Sequence, residues 1–477
     1  MFTSKNAHFQ LIRFKMATGL FSDFSPSGKD AWEKQAEKEL KGRLKTISDW
    51  NIGTDLHLAP YLTNSEIDPA KMIAMQACQK KTPGWQNIPV VKFPDPRTAN
   101  AAMKHALENG ADAIILDLGN TDVTHCEFPK LLHGIRLSDT AIYFQTGENA
   151  AEVFKEISKN AGYYLKGGIA FDPVAQWMRT GKFFSNHINA IVSLLDQTRN
   201  MREFRAYMVD GHLFHNSGAT PVQELAMMIS ETVHYVDLLT DKGISPLTAF
   251  NRAMFSLSIG PQFLTEIAKL RAFRFLLSRI SDAYQLPKAL CTPFIHTQTS
   301  SFYNADAAPH TNMIRGSSEA MSAVMGGCNA LTVRPYDHPF REQNDLSERI
   351  ARNVSSVLAH ESALGYVADP AAGSHMLEKI LLDMADKAWE LFLEMEEKGG
   401  FVKCFETGFI QTELDASLAQ KVSDLHEGKI MIGVNKFVEE TNSGLFEEQN
   451  QHLGSDNLTD KNLSQCFKAS TLTARKP

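Results

Sequence analysis

The chain has 477 residues, 43% hydrophobic and 22% charged, a soluble globular profile with room for one large barrel plus extensions or for two or three ordinary domains. Lys and Arg total 48 against 55 Asp and Glu, a net charge of −7, which argues against a nucleic-acid partner because phosphates call for a basic face. No run approaches the roughly 18 apolar residues of a membrane span, and six scattered cysteines without a C-x-x-C suit a reducing cytoplasm rather than a disulfide or zinc framework.

Residues 1–15, "MFTSKNAHFQLIRFK", carry Lys5, Arg13 and Lys15 and no acid. Neither an apolar core nor a cleavage site follows, so they are expected to form a disordered leader before Met16. Residues 16–85 read as an N-terminal arm and linker. Within them "SPSGKDAWEKQAEKELKG" predicts a helix that starts at Ser25, Pro26 and Ser27 and stops at Gly42. Trp32, Ala36 and Leu40 form a narrow apolar stripe on it. The stripe suits a helix lying on its own domain or an arm packed on another subunit.

Over residues 86–375, short apolar runs alternate with longer helical patterns. Strands are expected at 111–118, 140–146, 167–172, 204–210, 253–258, 291–299 and 329–335, with an eighth near "IPVVKF". Helices are expected over Pro221–Leu239, Pro261–Ala283, Asn312–Met325 and Leu346–His360. Apolar runs without alternation indicate strands buried on both faces, hence a parallel sheet covered by helices. The count favours a closed (β/α)₈ barrel over an open sheet. No G-x-G-x-x-G follows any strand, which counts against a dinucleotide fold.

Residues 376–440 are expected to hold helices and a strand, "KIMIGVNKF" (429–437), packed on the barrel. Residues 441–477 are polar and aperiodic and read as a flexible tail.

Three stretches carry candidate chemistry. In "VDGHLFHNSGAT" (209–220), His212 and His215 stand three apart beside Asp210, a spacing open to one metal or one substrate, though no Glu or Cys supports a metal set. In "FIHTQTSS" (294–301), His296 and Gln298 share one strand face near the end where barrels do their chemistry. "DLHEG" (424–428) resembles the D-x-H-x-x-G that gives a histidine to cobalt, but it is one residue short, with Lys429 at the last position.

The segment 296–378 resembles the methylmalonyl-CoA mutase family: "HTQTSS", "EAMSAVMGG", "SERIARN", Glu361–Ser362 and "DPAAGS" are its marks. "SGATPVQELA" (217–226), "EIAKLRAFR" (266–274), "IGVNKF" (432–437) and the N-terminal "FSPSGKDAWEKQAEKELKG" are similar to it too, so the likeness runs over about residues 17–440. The resemblance implies a (β/α)₈ TIM barrel, which in catalytic members is joined to a C-terminal cobalamin domain and interconverts methylmalonyl-CoA and succinyl-CoA by a radical shift that adenosylcobalamin starts. Some members are heterodimers of a large catalytic chain and a small, diverged one.

Against that family's pattern this chain lacks several parts. The segment matching "VDGHLFHNSGAT" carries a Tyr-His pair in catalytic members; here the pair is His212-Leu213. The catalytic histidine position is therefore Leu213, which can neither donate a hydrogen bond nor titrate. His212 stands in the tyrosine's place and is expected to point to the other side of the strand. Ala170 replaces a glutamine, and the loop arginine's position holds Thr180, with Arg179 adjacent. "TPGWQNIPVV" stands where a tyrosine-bearing segment is expected, and no C-terminal cobalamin domain is recognisable. His296, Gln298 and Glu361 remain as vestigial cofactor- or substrate-facing residues, with no metal ligands.

The reading that follows is the small, non-catalytic subunit of a heterodimeric mutase, its partner the large catalytic subunit and adenosylcobalamin held by that partner. Two alternatives stay open: a catalytic acyl-CoA mutase barrel whose cobalamin domain is a separate chain, and an unrelated barrel enzyme using His212 and His215 with a metal.

Overall fold

The computed structural model describes residues 28–44, 50–52, 56–63, 66–119, 121–123, 126–147, 149–160, 164–338, 340, 344–438 and 457–474. The leader, the helix start at Ser25–Ser27 and residues 439–456 fall outside them. The first described helix, α1 (Lys29–Glu39), starts at Gly28 and buries none of its residues. Its Trp32 stacks on Tyr61 with ring centroids 5.2 Å apart.

Eight parallel strands close into the expected barrel: β1 (Gln86–Asn87 and Val90–Lys92), β2 (Ala113–Gly119), β3 (Ala141–Thr146), β4 (Gly167–Ala170), β5 (Phe204–Arg205 and Tyr207–Asp210), β6 (Ala253–Ile259), β7 (Phe294–Thr299) and β8 (Ala330–Thr332). The first half of β1 pairs with β8 and its second half with β2. β5 divides in the same way between β4 and β6, so the circuit has no free edge. The backbone N–H of Met208 donates to Phe171 O at 3.0 Å across the second seam.

Every residue of β6 is buried, because the barrel interior takes one set of alternate side chains and the surrounding helices take the other. Ala113, Ile115, Tyr143, Ala170 and Met254 form an inner cluster with Ile88. Ile114, Leu116, Ile142, Phe144 and Phe255 belong to the much larger layer between barrel and helices.

The helices that matter for the site follow the strands or close over the barrel from the C-terminal part. They are α2 (Pro173–Thr180), α3 (Gly211–Ser217), α4 (Pro221–Asp241), α5 (Phe263–Ala283), α6 (Asp345–His360), α7 (His375–Glu397), α8 (Phe409–His426) and α9 (Leu463–Ala474). Thr220 opens α4 with a capping box to Gln223, and Pro221 sits where its missing N–H costs nothing. α7 packs across α4 and α5 and covers their outer faces.

Two expectations for the C-terminal part are corrected. Residues 429–437 are not a strand: Gly433 takes φ +77° and only an isolated bridge joins Ile432 to Lys436. The apolar run that suggested a strand instead drops Met431 and Val434 into a small cluster beside Phe302. Residues 457–474 are ordered: α9 forms, and Leu458 and Leu463 are buried. Few apolar anchors and many polar partners far away in sequence hold this segment, a pattern that periodicity cannot reveal.

Gly167 has φ +93°, and a Cβ there would lie 2.1 Å from the Ile142 carbonyl oxygen of the neighbouring strand. Replacing it with alanine is expected to cost on the order of 2–5 kcal/mol, read as a lower urea midpoint with an unchanged slope. An unchanged midpoint would show that β3 and β4 do not approach as described.

Candidate functional site at the barrel mouth

The C-terminal ends of the strands surround a cavity of about 520 Å³. Its floor is apolar, made by Ile115, Ala170, Met208 and Met254. Below the floor the axis is filled: Tyr143 stacks on Phe294 with centroids 5.8 Å apart, and the Arg205 guanidinium lies 5.0 Å from the centroid of the Phe294 ring. The walls are polar, with Asp117, Gln145, Asp210, His212, His296, Gln298 and Arg334 facing in.

The roof is the C-terminal segment. Asp460, Lys461, Asn462 and Gln465 line the cavity. Asp460 bonds Arg179 at 2.6 Å and accepts from Asn216 at 3.1 Å. The Lys461 N–H donates to Asn216 O, and Leu463 N–H to Phe302 O at 2.9 Å.

Asp172 caps α2 through Val174 and Ala175 N–H, accepts from Tyr235 Oη at 2.6 Å and receives the Asp210 N–H at 2.7 Å. Burial pushes its pKa up to about 6 in spite of these bonds, with the Asp210 charge adding to the rise. Asp210 in turn caps α3, so β5 ends abruptly and Gly211 begins a helix. Glycine suits this close packing, since a Cβ would sit 2.5 Å from Met228 Sδ and 3.0 Å from Ser256 O, so the methionine would have to move.

This helical start decides the histidines. His212 and Leu213 occupy the first turn of α3 rather than a strand, so strand alternation does not apply to them. His212 faces the barrel cavity, contrary to the expected orientation, while Leu213 is fully buried in the layer between barrel and helices. Both ring nitrogens of His212 are bonded, Nδ1 to Ser258 Oγ and Nε2 to Ser256 Oγ, each at 2.7 Å. Ser256 Oγ also meets His296 Nδ1 at 2.6 Å, and His296 Nε2 meets Thr332 Oγ1 at 2.8 Å.

The proton direction follows from the end of this chain. Thr332 donates to the Ile88 carbonyl, so it must accept from His296 Nε2–H. Ser256 then donates to His296 Nδ1 and accepts from His212 Nε2–H, and Ser258 donates to His212 Nδ1. Both imidazoles are therefore neutral. Burial depresses the His212 pKa to about 3, helped by the Arg334 charge, and pushes that of His296 well below its usual value. The open surface of His212 faces the enclosed cavity, not bulk solvent.

His215 lies elsewhere. Its Nε2 meets Ser300 Oγ at 2.8 Å and its Nδ1 lies 3.5 Å from Glu224. Glu224 also holds Lys269 at 2.8 Å; burial opposes its charge, but Lys269 and His215 hold its pKa at about 2. His212 and His215 thus share no ligand, and among the described residues no three His, Cys, Asp or Glu side chains converge to hold a metal.

Of the other residues singled out in the sequence, His296 and Gln298 line the cavity and Ala170 lies in its floor. Arg179 reaches in, 3.6 Å from Asp210, whereas Thr180 turns back to bond Gln176 O at 2.8 Å. Glu361 is not brought to the site. It is exposed at the end of α6, six residues beyond Ser355, which accepts from Trp85 at 2.8 Å just before β1. Helix α6 runs antiparallel to the barrel strands, so its end lies at the opposite face. His426 of "DLHEG" bonds Ser470 Oγ at 2.9 Å and packs on Phe467. Asp117, Arg334, His338 and the roof were not singled out, although Arg334 follows Ala330 and Thr332 at strand alternation.

A model of the methylmalonyl-CoA mutase family matches residues 121–465. The chain is 27% identical over 439 residues to the methylmalonyl-CoA mutase small subunit of Porphyromonas gingivalis, covering 88% of this chain and 71% of that one. It is 30% identical over 424 residues to the small subunit of Streptomyces virginiae, covering 86% and 68%. A methylmalonyl-CoA mutase of Rhizobium meliloti is 33% identical over 279 residues, covering 57% of this chain and 39% of that one.

Depressed imidazole pKa values set a sign for pH dependence. The unfolded chain takes up protons on these histidines below about pH 6.5, while the native state refuses them until near pH 3. Stability is fully present above pH 6.5 and falls between those limits by about 1.4 kcal/mol per pH unit for each such group. The variant H212Q is expected to lower the slope of unfolding free energy against pH by about that amount between pH 6.5 and 5. Equal slopes in urea titrations would contradict the bonding described for His212.

Proposed function

The chain belongs to the methylmalonyl-CoA mutase family, and from that premise we propose that it is the small, non-catalytic subunit of a heterodimeric, adenosylcobalamin-dependent methylmalonyl-CoA mutase, steadying a large catalytic chain. The observation that carries this reading is the filled barrel axis. A coenzyme A thioester would have to enter along that axis, where Tyr143, Phe294, Met208 and Met254 now stand. The interior imidazoles support it further. Neither His212 nor His296 keeps a free nitrogen for polarising a carbonyl. Leu213, at the position matched to the catalytic histidine, has no polar atom and faces away from the cavity.

The residues present do not fit a corrinoid. The barrel mouth that would face it is covered by 460–465, pinned to Arg179, Asn216 and Phe302, and His426, in the stretch that resembles a cobalt-ligand motif, is bonded to Ser470. We therefore place adenosylcobalamin, and the isomerase chemistry it supplies, on the partner chain.

Co-expressed with a large mutase subunit, this chain is expected to co-purify with it in a one-to-one complex that isomerises methylmalonyl-CoA. Mixed instead with a cobalamin-binding chain and adenosylcobalamin, without another barrel chain, it is expected to give no succinyl-CoA. Turnover in that mixture would overturn the reading in favour of a split catalytic mutase.

A further inference from the structure

Among the described residues, buried cations such as Lys269, Arg271 and Arg274 are matched to acceptors, and Arg334 at the cavity wall is not. Lys269 lies 2.8 Å from Glu224 and 2.7 Å from Glu266. Arg271 reaches Asp369 at 2.9 Å and Glu378 at 3.2 Å. Arg274 donates to Gly327 O at 2.6 Å and to Asn329 Oδ1 at 2.8 Å. Arg252 donates to Phe204 O at 2.8 Å. Arg179 is held by Asp460 and Asp210. Arg334 stands apart: among the described residues its guanidinium has no hydrogen-bond or ion-pair partner, and its Nε is buried with none. The residue is half-buried, and the carboxylates of Asp117, Asp460 and Asp210 act on it only through space, so its guanidinium donors stay unbonded while its Nε has lost water without gaining an acceptor.

The backbone holds Arg334, half-buried, at the cavity wall. Its N–H donates to Thr299 Oγ1 at 2.8 Å, and alternation from Ala330 and Thr332 turns its side chain inward. It ends in the 520 Å³ cavity. That wall holds other uncommitted polar groups. Gln298, one strand over, and Gln145 across the mouth line the cavity with no side-chain hydrogen bond among the described residues. His338 Nδ1 is buried without a partner, and burial holds its pKa down at about 3, so it stays neutral.

We propose that the barrel-mouth cavity binds a small aliphatic monocarboxylic acid, its carboxylate received by Arg334 and its hydrocarbon end lying on the Met208, Met254 and Ile115 floor. The size falls within the range of small-molecule pockets, and an apolar floor with a few convergent donors is their usual make-up. A guanidinium matches a carboxylate with two parallel hydrogen bonds. One negative charge fits better than two, since three carboxylates, Asp117, Asp210 and Asp460, already face the cavity, and the single charge of Arg179 is shared between the last two. The acid is free, not thioester-linked. The filled axis below and the strap 460–465 above leave no passage for a coenzyme-sized handle. The site does not depend on the chain being catalytically silent, so binding and turnover are tested separately.

The test is calorimetric titration of the full-length chain, alone or in its complex, with hexanoate, hexanamide, acetate and inorganic phosphate. Saturable hexanoate binding is expected, with hexanamide at least about ten-fold weaker because the charge-assisted bonds are lost. R334Q, checked for native circular dichroism, is expected to weaken hexanoate by a similar factor, and M208Q to weaken hexanoate more than acetate. No saturable hexanoate binding to the wild-type chain, hexanamide binding equal to hexanoate, or phosphate binding tighter than either would each overturn the proposal. The ligand comparisons need only the wild-type chain, so they decide the matter even if R334Q fails to fold.

Discussion

The structure depends on how an eight-stranded barrel fills its own axis. Closing eight strands leaves an interior just wide enough for side chains, which must either pack it or leave a passage. Here they pack it. Tyr143 and Phe294 stack from β3 and β7, Arg205 lies over Phe294, and Met208 and Met254 finish the layer above. The height of that packing sets where the cavity floor lies. It also separates the mouth from the opposite face, so any ligand of the mouth must enter through the roof.

Above the floor the interior turns polar, and the bonding there is directional. A row of hydroxyls and imidazoles from Ser258 to the Ile88 carbonyl leaves each donor one acceptor, which fixes both tautomers and keeps both rings uncharged. Such a chain is worth more complete than broken, because an orphaned buried imidazole loses the full desolvation cost of its polar atoms. The two histidines are thus explained as internal structure without a reaction. Their retention in the barrel does not mark a working site; an available nitrogen would.

Much of this was legible in the sequence, and what was not has identifiable causes. Unbroken apolar runs such as Ala253–Ile259 gave the barrel strands, and Thr220–Pro221 gave a helix start that the structure keeps. The inward pair His296 and Gln298 followed from alternation on a real strand. The same rule failed at His212, because the Asp210 cap ends β5 at residue 210 and the following side chains take helical rather than strand directions. Glu361 belongs to a strong motif, but a motif places a residue in the chain and not at an end of the barrel. The roof was missed because Leu458 and Leu463 are isolated anchors and the remaining bonds of 459–468 reach back to residues as distant as Arg179 and Asp306. Separations of that length leave no local signal.

The roof and the two arginines of the mouth belong to one electrostatic arrangement. Arg179 spends its charge on Asp460 and Asp210, and with Asn216 it ties the C-terminal strap to the ends of β4 and β5. Lys468, chelated by both oxygens of Asp306 at 2.7 Å, and Asn462, bonded to Ser301 O and Asn304 O, tie it to the loop after β7. Asp460 of the strap acts on Arg334 only through space, and among the described residues the guanidinium of Arg334 has no hydrogen-bond partner, so it keeps its donors. Ordering a polar segment over a cavity costs backbone entropy, and the bonds to Arg179 and Asp306 offset that cost only at the rim. The centre of the chamber they enclose is where an unmatched charge remains. A roof that satisfied Arg334 as well would have made the mouth as closed as the axis beneath it.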